Sequence, residues 1–405
     1  MPSRLLVAFA ASVLLVSCGE GPAGPREIQG LPRDLTAQEQ LVVDAANDFT
    51  FRLFGRIAAD EPGANVFVSP LSVSMALGMT MNGADGATLE AMREVLGFGT
   101  LTLDEIGQSY RDLIDLILGL DPTVTTMIAN AIWYREGFTI EPDFVETNRE
   151  FFDAEVEALD FTSPAALSTI NGWASEKTRG RIPSMLDRID PAWVLILMNA
   201  LYFKGAWTEA FDPERTREAT FHLADGSTRR VPMMFHDEKF PGYIDEEKGV
   251  VELPYGGGAF TMVVVVPREV DGLDDLVAGL DAAAWEELVG RIEGDGEVEV
   301  RLPRLELEYE RNLVDDLAAM GMGVAFTPAA DFGRLSSDPF WIDIVKQKTF
   351  VKVDEEGTEA AAVTIVAGPT SLPPTVIADR PYLFAIRERF SGTILFVGQV
   401  VDPTR

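Results

Sequence analysis

The sequence predicts one large domain of the α+β class, in which helices and strands share an extensive core. Hydrophobic residues make up 47% of the chain, a proportion typical of a globular protein. A chain of 405 residues usually divides into two or three domains. After residue 40, however, the sequence contains no Gly/Ser linker, low-complexity tract or repeat, and this favours a single domain.

The N-terminus has the pattern of an export signal. Met1-Pro-Ser-Arg4 is a short positive region, and residues 5–16 form an apolar run that is too short to span a bilayer. The next residues, Leu15-Val-Ser-Cys18, resemble the lipobox of bacterial lipoproteins, in which the cysteine is lipidated. We therefore expect residues 1–17 to be a lipoprotein signal peptide, although an ordinary signal with an incidental cysteine is the alternative.

Cys18 is the only cysteine in the chain, which strengthens the prediction of a lipid anchor, because an unpaired thiol in an exported protein is open to oxidation. Residues 18–36 contain several prolines and glycines and are predicted to be a flexible tether. The expected product is an exported protein on the bacterial cell envelope or cell surface that contacts the membrane through its lipid alone.

The domain begins at about residue 37. Helical periodicity of the apolar residues predicts a helix around residues 40–49. Farther along the chain, residues 256–258 are three glycines that precede the apolar run 260–266, and they predict a hairpin turn leading into a buried strand.

The charge and the histidines exclude several function classes. The net charge of -32 argues against nucleic acid and anionic membrane surfaces as partners. The two histidines, His222 and His236, lie in no metal-binding or triad-like context, and no nucleotide-binding loop or nucleophile elbow occurs. We therefore expect neither an enzyme nor a metal or other cofactor.

Residues 354–374 suit both an exposed loop and an unused central strand. No proline occurs from Gly357 to Gly368, whereas prolines stand at 369, 373 and 374. The residues alternate between a small or β-branched set that suits an interior and a second set that suits the other face of a sheet. The first set is Thr358, Ala360, Ala362, Thr364 and Val366, and the second is Glu359, Ala361, Val363 and Ile365.

This segment resembles the hinge and reactive-centre loop of the serpins, and other motifs resemble that family in the same order. They are Asn65-Val-Phe-Val-Ser-Pro-Leu-Ser72, Asn130-Ala-Ile-Trp133, Ile170-Asn-Gly-Trp173, Thr178-Arg-Gly-Arg-Ile182, Leu197-Met-Asn-Ala-Leu-Tyr-Phe-Lys-Gly-Ala-Trp207 with Phe211, Phe221-His-Leu-Ala-Asp-Gly226, Val231-Pro-Met-Met234, Pro381-Tyr-Leu-Phe384 and Phe396-Val-Gly-Gln-Val-Val-Asp-Pro403.

The resemblance implies a serpin domain over residues 37–405. Its expected fold is a large five-stranded, mainly antiparallel central sheet, two smaller sheets, about eight to nine helices and an exposed reactive-centre loop at about residues 355–376. The implied function is inhibition of a serine protease, with a cysteine protease as the alternative target. The protease cleaves the loop and forms an acyl-enzyme, and the loop then inserts into the main sheet and distorts the trapped enzyme.

The resemblance also assigns residues to three regions. The hinge comprises Glu355, Gly357, Thr358, Glu359, Ala360, Ala361 and Ala362, whose small side chains favour insertion and hence an inhibitory member. The shutter beneath the sheet comprises Ser69, Ser72, Asn199 and Gln347, where Gln347 replaces the usual histidine and can bond to Asn199. The breach at the top of the sheet comprises Arg304, Glu355 and Trp207, with a predicted pair between Arg304 and Glu355.

The bond that a protease cleaves has three candidates, which follow Thr370, Ser371 or Leu372. The hydroxyl residues suit an elastase-like or subtilisin-like protease, and Leu372 suits a chymotrypsin-like one. No arginine or lysine occurs from residue 353 to 379, which disfavours trypsin-like enzymes.

Residues 103–117, which match the heparin-binding helix of some serpins, are acidic, so we expect no heparin-type cofactor. We expect a monomer. The alternative function is that of a non-inhibitory serpin that binds or stores a ligand.

Overall fold

The structure is a computed structural model in which residues 26–292, 294, 296–358 and 374–405 are described. Within these residues it contains nine α-helices. Their bounds are α1 Ala37–Asp60, α2 Pro70–Met81, α3 Gly86–Leu96, α4 Leu103–Leu120, α5 Pro142–Phe152, α6 Pro164–Lys177, α7 Leu273–Ala278, α8 Ala282–Ile292 and α9 Val314–Leu317. None of these helices is long and apolar enough to cross a membrane.

Local sequence explains where the main helices begin. Thr36 and Glu39 form a capping box at the start of α1, and Thr102 and Glu105 form another at the start of α4. Ser69 caps α2, whose first residue is a proline and whose twelve residues are all buried. A helix without a polar face packs inside the protein, and α2 accordingly lies beneath the central sheet.

The longest strand is β6, which serves two sheets. Their bounds are β1 Val66–Val68, β2 Thr125–Arg135, β3 Glu155–Leu159, β4 Leu195–Ala206, β5 Arg217–His222, β6 Thr228–Ile244, β7 Lys248–Tyr255, β8 Phe260–Pro267, β9 Glu297–Pro303, β10 Leu305–Asn312, β11 Lys346–Val353, β12 Gly357–Thr358, β13 Thr375–Ile377, β14 Tyr382–Glu388 and β15 Ile394–Val400.

The two smaller sheets are joined through β6 into one path with the order β1-β15-β14-β8-β7-β6-β9-β13, and β5 also pairs with β6. The register of β6 against β9 shifts between His236 and Phe240. An irregularity of this kind bends a strand, which lets one strand contribute to both sheets.

The central sheet consists of β12-β4-β2-β3 and the hairpin β10-β11. Strand β4 is apolar along most of its length because both of its faces are covered. Leu197, Leu201 and Phe203 pack in the main core. The alternate residues Ile196 and Met198 pack in a second cluster beneath α6.

The described part of the predicted tether packs on the domain. The backbone N–H of Ile28 donates to the carbonyl of Gly257 at 2.8 Å, and Arg33 pairs with the carboxylate of Glu39. Residues 28–36 therefore lie against the body of the protein, and Cys18 lies outside the described residues.

Candidate functional site

A gap divides the central sheet between β4 and β11. Strand β4 pairs with β2 from Leu195 to Lys204, and on its other side it pairs with β12 at Gly205 and Ala206 alone. Strand β11 pairs along its whole length with β10. Within the described residues, no ladder joins β4 to β11. Two strand edges therefore face each other across the gap with backbone groups that are not used in the sheet.

The side chains along the gap leave small cavities at both ends. Near β12, a cavity of about 20 Å³ is lined by residues of both strands, among them Phe203, Phe350 and Thr358. Near the start of β11, a second cavity of about 20 Å³ is lined by Asn199 and Gln347 and by residues of α2. Both volumes are close to the minimum that holds one water molecule.

The gap is closed at the end that we call the top by the turn between β11 and β12. Gly357 and Thr358 pair with Ala206 and Gly205, and Asp354 bridges to Gly357. The φ angle of Gly357 is +132°, and a Cβ atom there would lie 2.4 Å from the carbonyl oxygen of Gly205. Only glycine fits this position, because it combines an unusual φ with close approach to the backbone of β4.

Trp207 lies at the centre of the top closure. Its indole Nε1–H donates to the carbonyl of Asp354 at 2.9 Å, and its backbone N–H donates to the carbonyl of Glu356 at 3.0 Å. The ring of Trp207 stacks on Tyr255 with 4.4 Å between centroids. The hydroxyl of Tyr255 lies 3.1 Å from that of Thr358. Trp207 thus holds the turn by hydrogen bonds, while Tyr255 contacts the hinge residue Thr358.

The predicted breach pair is present at the top of the gap. The guanidinium of Arg304 donates to both carboxylate oxygens of Glu355 from Nε, at 2.9 Å each, and Thr216 is a further donor. The side chain of Glu355 is 5% exposed and that of Arg304 is 46% exposed. Burial acts to raise the pKa of Glu355, but the hydrogen bonds from Arg304 and Thr216 outweigh it and hold this pKa below its ordinary value. The carboxylate is therefore charged at neutral pH.

The predicted shutter residues lie close together at the other end of the gap. Their hydrogen-bond partners differ from those that the sequence suggested. Asn199 accepts a bond from the hydroxyl of Ser72 and donates to Oδ1 of Asn130 at 2.6 Å. Gln347 donates to the carbonyl of Ser69 at 2.7 Å and accepts from its N–H at 3.2 Å.

The bond between Gln347 and Asn199, which the sequence allows, is not among the hydrogen bonds of these described residues. The physical reason is that the amide of Gln347 combines an NH2 donor group with a carbonyl acceptor, which match the backbone carbonyl and N–H of Ser69. Asn199 bonds to Asn130 instead. The sequence analysis did not identify Asn130 and Thr216 as site residues. Asn130 belongs to one of the family motifs, but its contact with Asn199 depends on how β2 pairs with β4.

Part of the predicted loop and hinge lies outside the described residues. This applies to Glu359, Ala360, Ala361, Ala362, Thr370, Ser371 and Leu372. The described ends of the predicted loop, residues 355–376, are largely buried, because Glu355, Gly357, Thr358 and Val376 all lie in the protein interior.

The histidines occupy ordinary structural positions. His222 is exposed at the end of β5. His236 is buried, with Nε2 3.0 Å from the carbonyl of Ala210 and Nδ1 accepting from the N–H of Glu238 at 3.0 Å. Across the described ranges, no group of three or more His, Cys, Asp or Glu residues is arranged to hold a metal ion.

A family model described as "Serpin (serine protease inhibitor)" matches residues 44–403. The chain is 36% identical over 381 residues to a leukocyte elastase inhibitor from Bos taurus, covering 90% of this chain and all of that protein.

Solved structures agree with this match. The native state of tengpin, a thermophilic serpin, superimposes with a TM-score of 0.81 at 28% identity, covering 94% of this chain and 97% of that one. Human thyroxine-binding globulin in complex with its ligand gives a TM-score of 0.83 at 27% identity, covering 91% and 100%. The gap, the closures at its two ends and these comparisons together show that the chain belongs to the serpin family.

Proposed function

We propose that this protein inhibits serine proteases as a suicide substrate. Cleavage near Thr370, Ser371 or Leu372 leaves the protease attached as an acyl-enzyme. The freed segment then enters the gap between β4 and β11 as a new strand and carries the protease with it. The observation that carries this proposal is the match between the gap and the segment that follows Thr358.

The register of β12 on β4 defines where each residue of the inserted strand would lie. Gly357 is opposite Ala206 and Thr358 is opposite Gly205. If this ladder continues, residues 359–368 lie opposite residues 204–195, the same ten residues of β4 that pair with β2. The proline-free stretch ends at Gly368, and Pro369 falls one residue beyond the start of β4. The segment therefore has the length that the gap requires.

The bridge on the other side of the gap supports the same register independently. Continuing the antiparallel bridge between Asp354 and Gly357 places Thr364 opposite Gln347. The β4 register places Thr364 opposite Asn199. Both strands thus bring this hydroxyl to the polar shutter. A buried hydroxyl needs a hydrogen-bond partner. The shutter is the polar part of the gap, so it can provide one.

The alternation of side chains also supports insertion. Thr358 is buried on the core side, where it contacts Tyr255. Strand alternation then directs Ala360, Ala362, Thr364 and Val366 to the core side. Their partners on β4 include Phe203, Leu201 and Leu197, which belong to the main core. Small residues beside these large ones allow the strand to enter without overpacking.

The target class is proposed from the loop sequence and the relatives. The bovine relative is named as an inhibitor of leukocyte elastase. Thr370 and Ser371 are small enough for an elastase-like or subtilisin-like pocket, whereas Leu372 suits a chymotrypsin-like one. No arginine or lysine from residue 353 to 379 is available to a trypsin-like enzyme.

The N-terminal pattern supports an exported inhibitor that is anchored through a lipid on Cys18. In this proposal the protein acts as a monomer on the bacterial cell envelope, and its anionic body stays away from the membrane surface. The net charge of -32 disfavours direct contact with anionic headgroups.

The test is incubation of the protein with elastase, subtilisin and chymotrypsin, with trypsin as the comparison enzyme. An inhibitor yields a complex with one of the first three that survives SDS, and mass spectrometry of the released fragment identifies the cleaved bond. Cleavage by all three without a stable complex or a gain in heat resistance overturns the proposal. That result favours the alternative of a ligand-binding member, the class to which thyroxine-binding globulin belongs by its name.

A further inference from the structure

We propose that a cavity beside β13 binds a small carboxylic acid with an apolar body, such as a medium-chain fatty acid. The cavity has a volume of about 370 Å³ and lies between β13 and the adjoining ends of β6, β7 and β8. Small-molecule sites usually have volumes of roughly 300–1,000 Å³. This inference goes beyond the proposed function, because such binding requires neither a protease nor cleavage of the loop.

The floor of the cavity is a notch left by a glycine in a row of apolar residues. Gly249 on β7 lies directly opposite Ile244 on β6 and Val266 on β8. Residues that are directly opposite in antiparallel strands point to the same face, so the missing side chain leaves a space between two aliphatic ones. A Cβ atom at Gly249 would lie 3.2 Å from Cγ2 of Val376 and 3.7 Å from Cγ1 of Ile244. The notch is therefore bounded by Ile244, Val266 and Val376.

The backbone conformation does not require a glycine at this position. Gly249 is not among the glycines that have a positive φ angle, so a residue with a side chain could adopt the same strand geometry. Such a side chain would project into the cavity and press on Val376. Glycine inside a strand often marks a site that a ligand approaches closely, and this agrees with a binding role for the notch.

The charged residues of the cavity are cations in a strongly acidic protein. Nine described residues line the cavity, and the two charged ones among them are Arg268 and Arg380. The whole chain has 65 acidic and 33 basic residues. This local excess of positive charge favours an anionic ligand over a cationic one.

The two arginines have different roles. Arg380 pairs with Asp379 at 2.9 Å and also donates to the backbone carbonyl of Arg268. The side chain of Arg268 is exposed and makes no ion pair with a carboxylate of the described residues. Arg268 can therefore donate two parallel hydrogen bonds to a ligand carboxylate, the geometry that a guanidinium favours, while Arg380 holds the backbone of Arg268 in place.

The edge of β13 supplies a backbone donor beside the cavity. In the described part of the sheet, β13 is the last strand and pairs only with β9. The N–H of Ala378 donates to the carbonyl of Arg301 on β9 at 2.9 Å. Backbone groups alternate in direction along a strand, so the N–H of Ile377 points to the opposite edge. Ile377 also lines the cavity, and an edge N–H of this kind can bind a carboxylate oxygen.

Together these features select a ligand that has both a charged head and an apolar tail. An uncharged apolar molecule would fill the notch without using Arg268, and a simple anion would use Arg268 without filling the notch. The net charge of -32 repels anions from the protein as a whole. Binding of a small anion must therefore come from the local contacts of the cavity.

The test is isothermal titration calorimetry of the intact protein with octanoate as the probe. The titration is made in about 150 mM salt, where the screening length is about 8 Å and long-range repulsion is weak. Octan-1-ol has the same tail without the charge, and acetate has the carboxylate without the tail. Octanoate should bind saturably with one molecule per chain, and about tenfold or more tightly than either comparison compound.

Two cavity variants and two matched controls locate the site. Arg268→Ala should weaken octanoate binding by about five- to twentyfold, because a charge-assisted hydrogen bond is lost. Ile244→Asp should weaken it by a similar factor, because it places a negative charge beside the notch, and Ile244 is exposed enough to be replaced without unfolding the protein. The controls, Arg217→Ala and Leu41→Asp, replace exposed residues of the same types that do not line the cavity, and they should bind octanoate like the wild type.

The proposal is overturned if the wild type shows no saturable binding of octanoate, or if Arg268→Ala binds octanoate as tightly as the wild type. Equal affinity for octan-1-ol and octanoate would also overturn it, because the cavity would then not recognise the carboxylate. Equal losses in the cavity variants and the controls would show that octanoate binds elsewhere. None of these results depends on whether the protein traps a protease.

Discussion

Single residues close the top of the gap through hydrogen bonds and an ion pair. Glu355 is almost fully buried, and its charge is balanced by Arg304 and by the hydroxyl of Thr216. Removing one partner of a buried carboxylate leaves a desolvated charge, which costs more than the pair itself contributes. Arg304 should therefore contribute more to the free energy of unfolding than an arginine that pairs with an exposed carboxylate.

Arg304→Ala should lower the free energy of unfolding of the intact protein by about 1–3 kcal/mol at pH 7, because Glu355 remains buried without its cation. Denaturant unfolding at equilibrium measures this change. The matched control is Arg230→Ala, since Arg230 and Glu218 are both well exposed and 4.0 Å apart. The control should lose less than about 0.5 kcal/mol. Equal losses in the two variants would contradict the importance of burial at Glu355.

The pKa of His236 predicts a pH effect on stability. Burial lowers this pKa, and the neighbouring carboxylate of Glu238 opposes the shift in part. A folded-state pKa below that of the unfolded chain means that the unfolded state binds more protons as the pH falls. The contribution of neutral His236 is thus fully present above pH 6.5, and it is lost as the pH falls through the folded pKa.

We expect the free energy of unfolding of the wild type to fall by up to about 1 kcal/mol more than that of His236→Gln between pH 6.5 and 5.5. Thermal unfolding across this range measures the difference. His222→Gln is the control, because His222 is exposed at the end of β5. If wild type and His236→Gln lose stability in parallel, the ring is not held in its neutral form.

At the scale of elements, the hinge strand β12 is already inserted in the native protein. Its two residues continue the β4 ladder, and Thr358 is 5% exposed. In the proposed mechanism, the inserting strand would extend from residues that are already paired, so insertion would need no separate nucleation step. The residue at position 358 would then have to fit against Tyr255 in both the native and the inserted state.

If the protein inhibits proteases as proposed, Thr358→Arg should convert it into a substrate. The long cation replaces a small buried residue beside Tyr255 and cannot pair there, so the first step of insertion is blocked. Gel electrophoresis should show cleaved protein and no SDS-resistant complex. Glu356→Arg is the matched control, because Glu356 is exposed only two residues away. A Thr358→Arg protein that traps protease as well as the control would contradict the position of β12.

Much of this element pattern was predictable from the sequence. The three glycines at 256–258 and the apolar run after them gave the turn and strand β8, which is buried along its whole length. Helix α1 includes the region of predicted helical periodicity. Side-chain partners were harder to predict, as Gln347 shows. The resemblance to the family assigned it to the shutter, but its choice of the Ser69 backbone depends on where α2 lies beneath the sheet.

Local features of the predicted loop were easier to predict from the sequence than its contacts with the rest of the protein. Alternation of small residues indicated a strand-compatible segment, and the structure shows that Gly357 and Thr358 are paired. The burial of Glu355 and the union of two sheets through β6 could not be inferred, because both depend on contacts between residues that are distant in sequence. The cleaved bond lies outside the described residues and stays a prediction.

At the scale of the whole molecule, the native fold leaves a place for a strand that its own chain can supply. Among the described residues, the facing edges of β4 and β11 have no ladder partner apart from the short pairing of β12 with Gly205 and Ala206 of β4. Filling the gap would pair these backbone groups and bury apolar side chains from residues 360–366, and both changes are favourable. Under the proposed mechanism, the native state lies above a more stable state that cleavage makes accessible.

The most direct test of this account is the melting temperature of the protein before and after one cut in the segment 369–373. Limited digestion with elastase or subtilisin provides the cut sample, and calorimetry at a single pH and salt concentration compares the two. The account predicts that the cut protein melts at a higher temperature than the intact protein, although a covalent bond has been lost. Melting at the same or a lower temperature would contradict strand insertion.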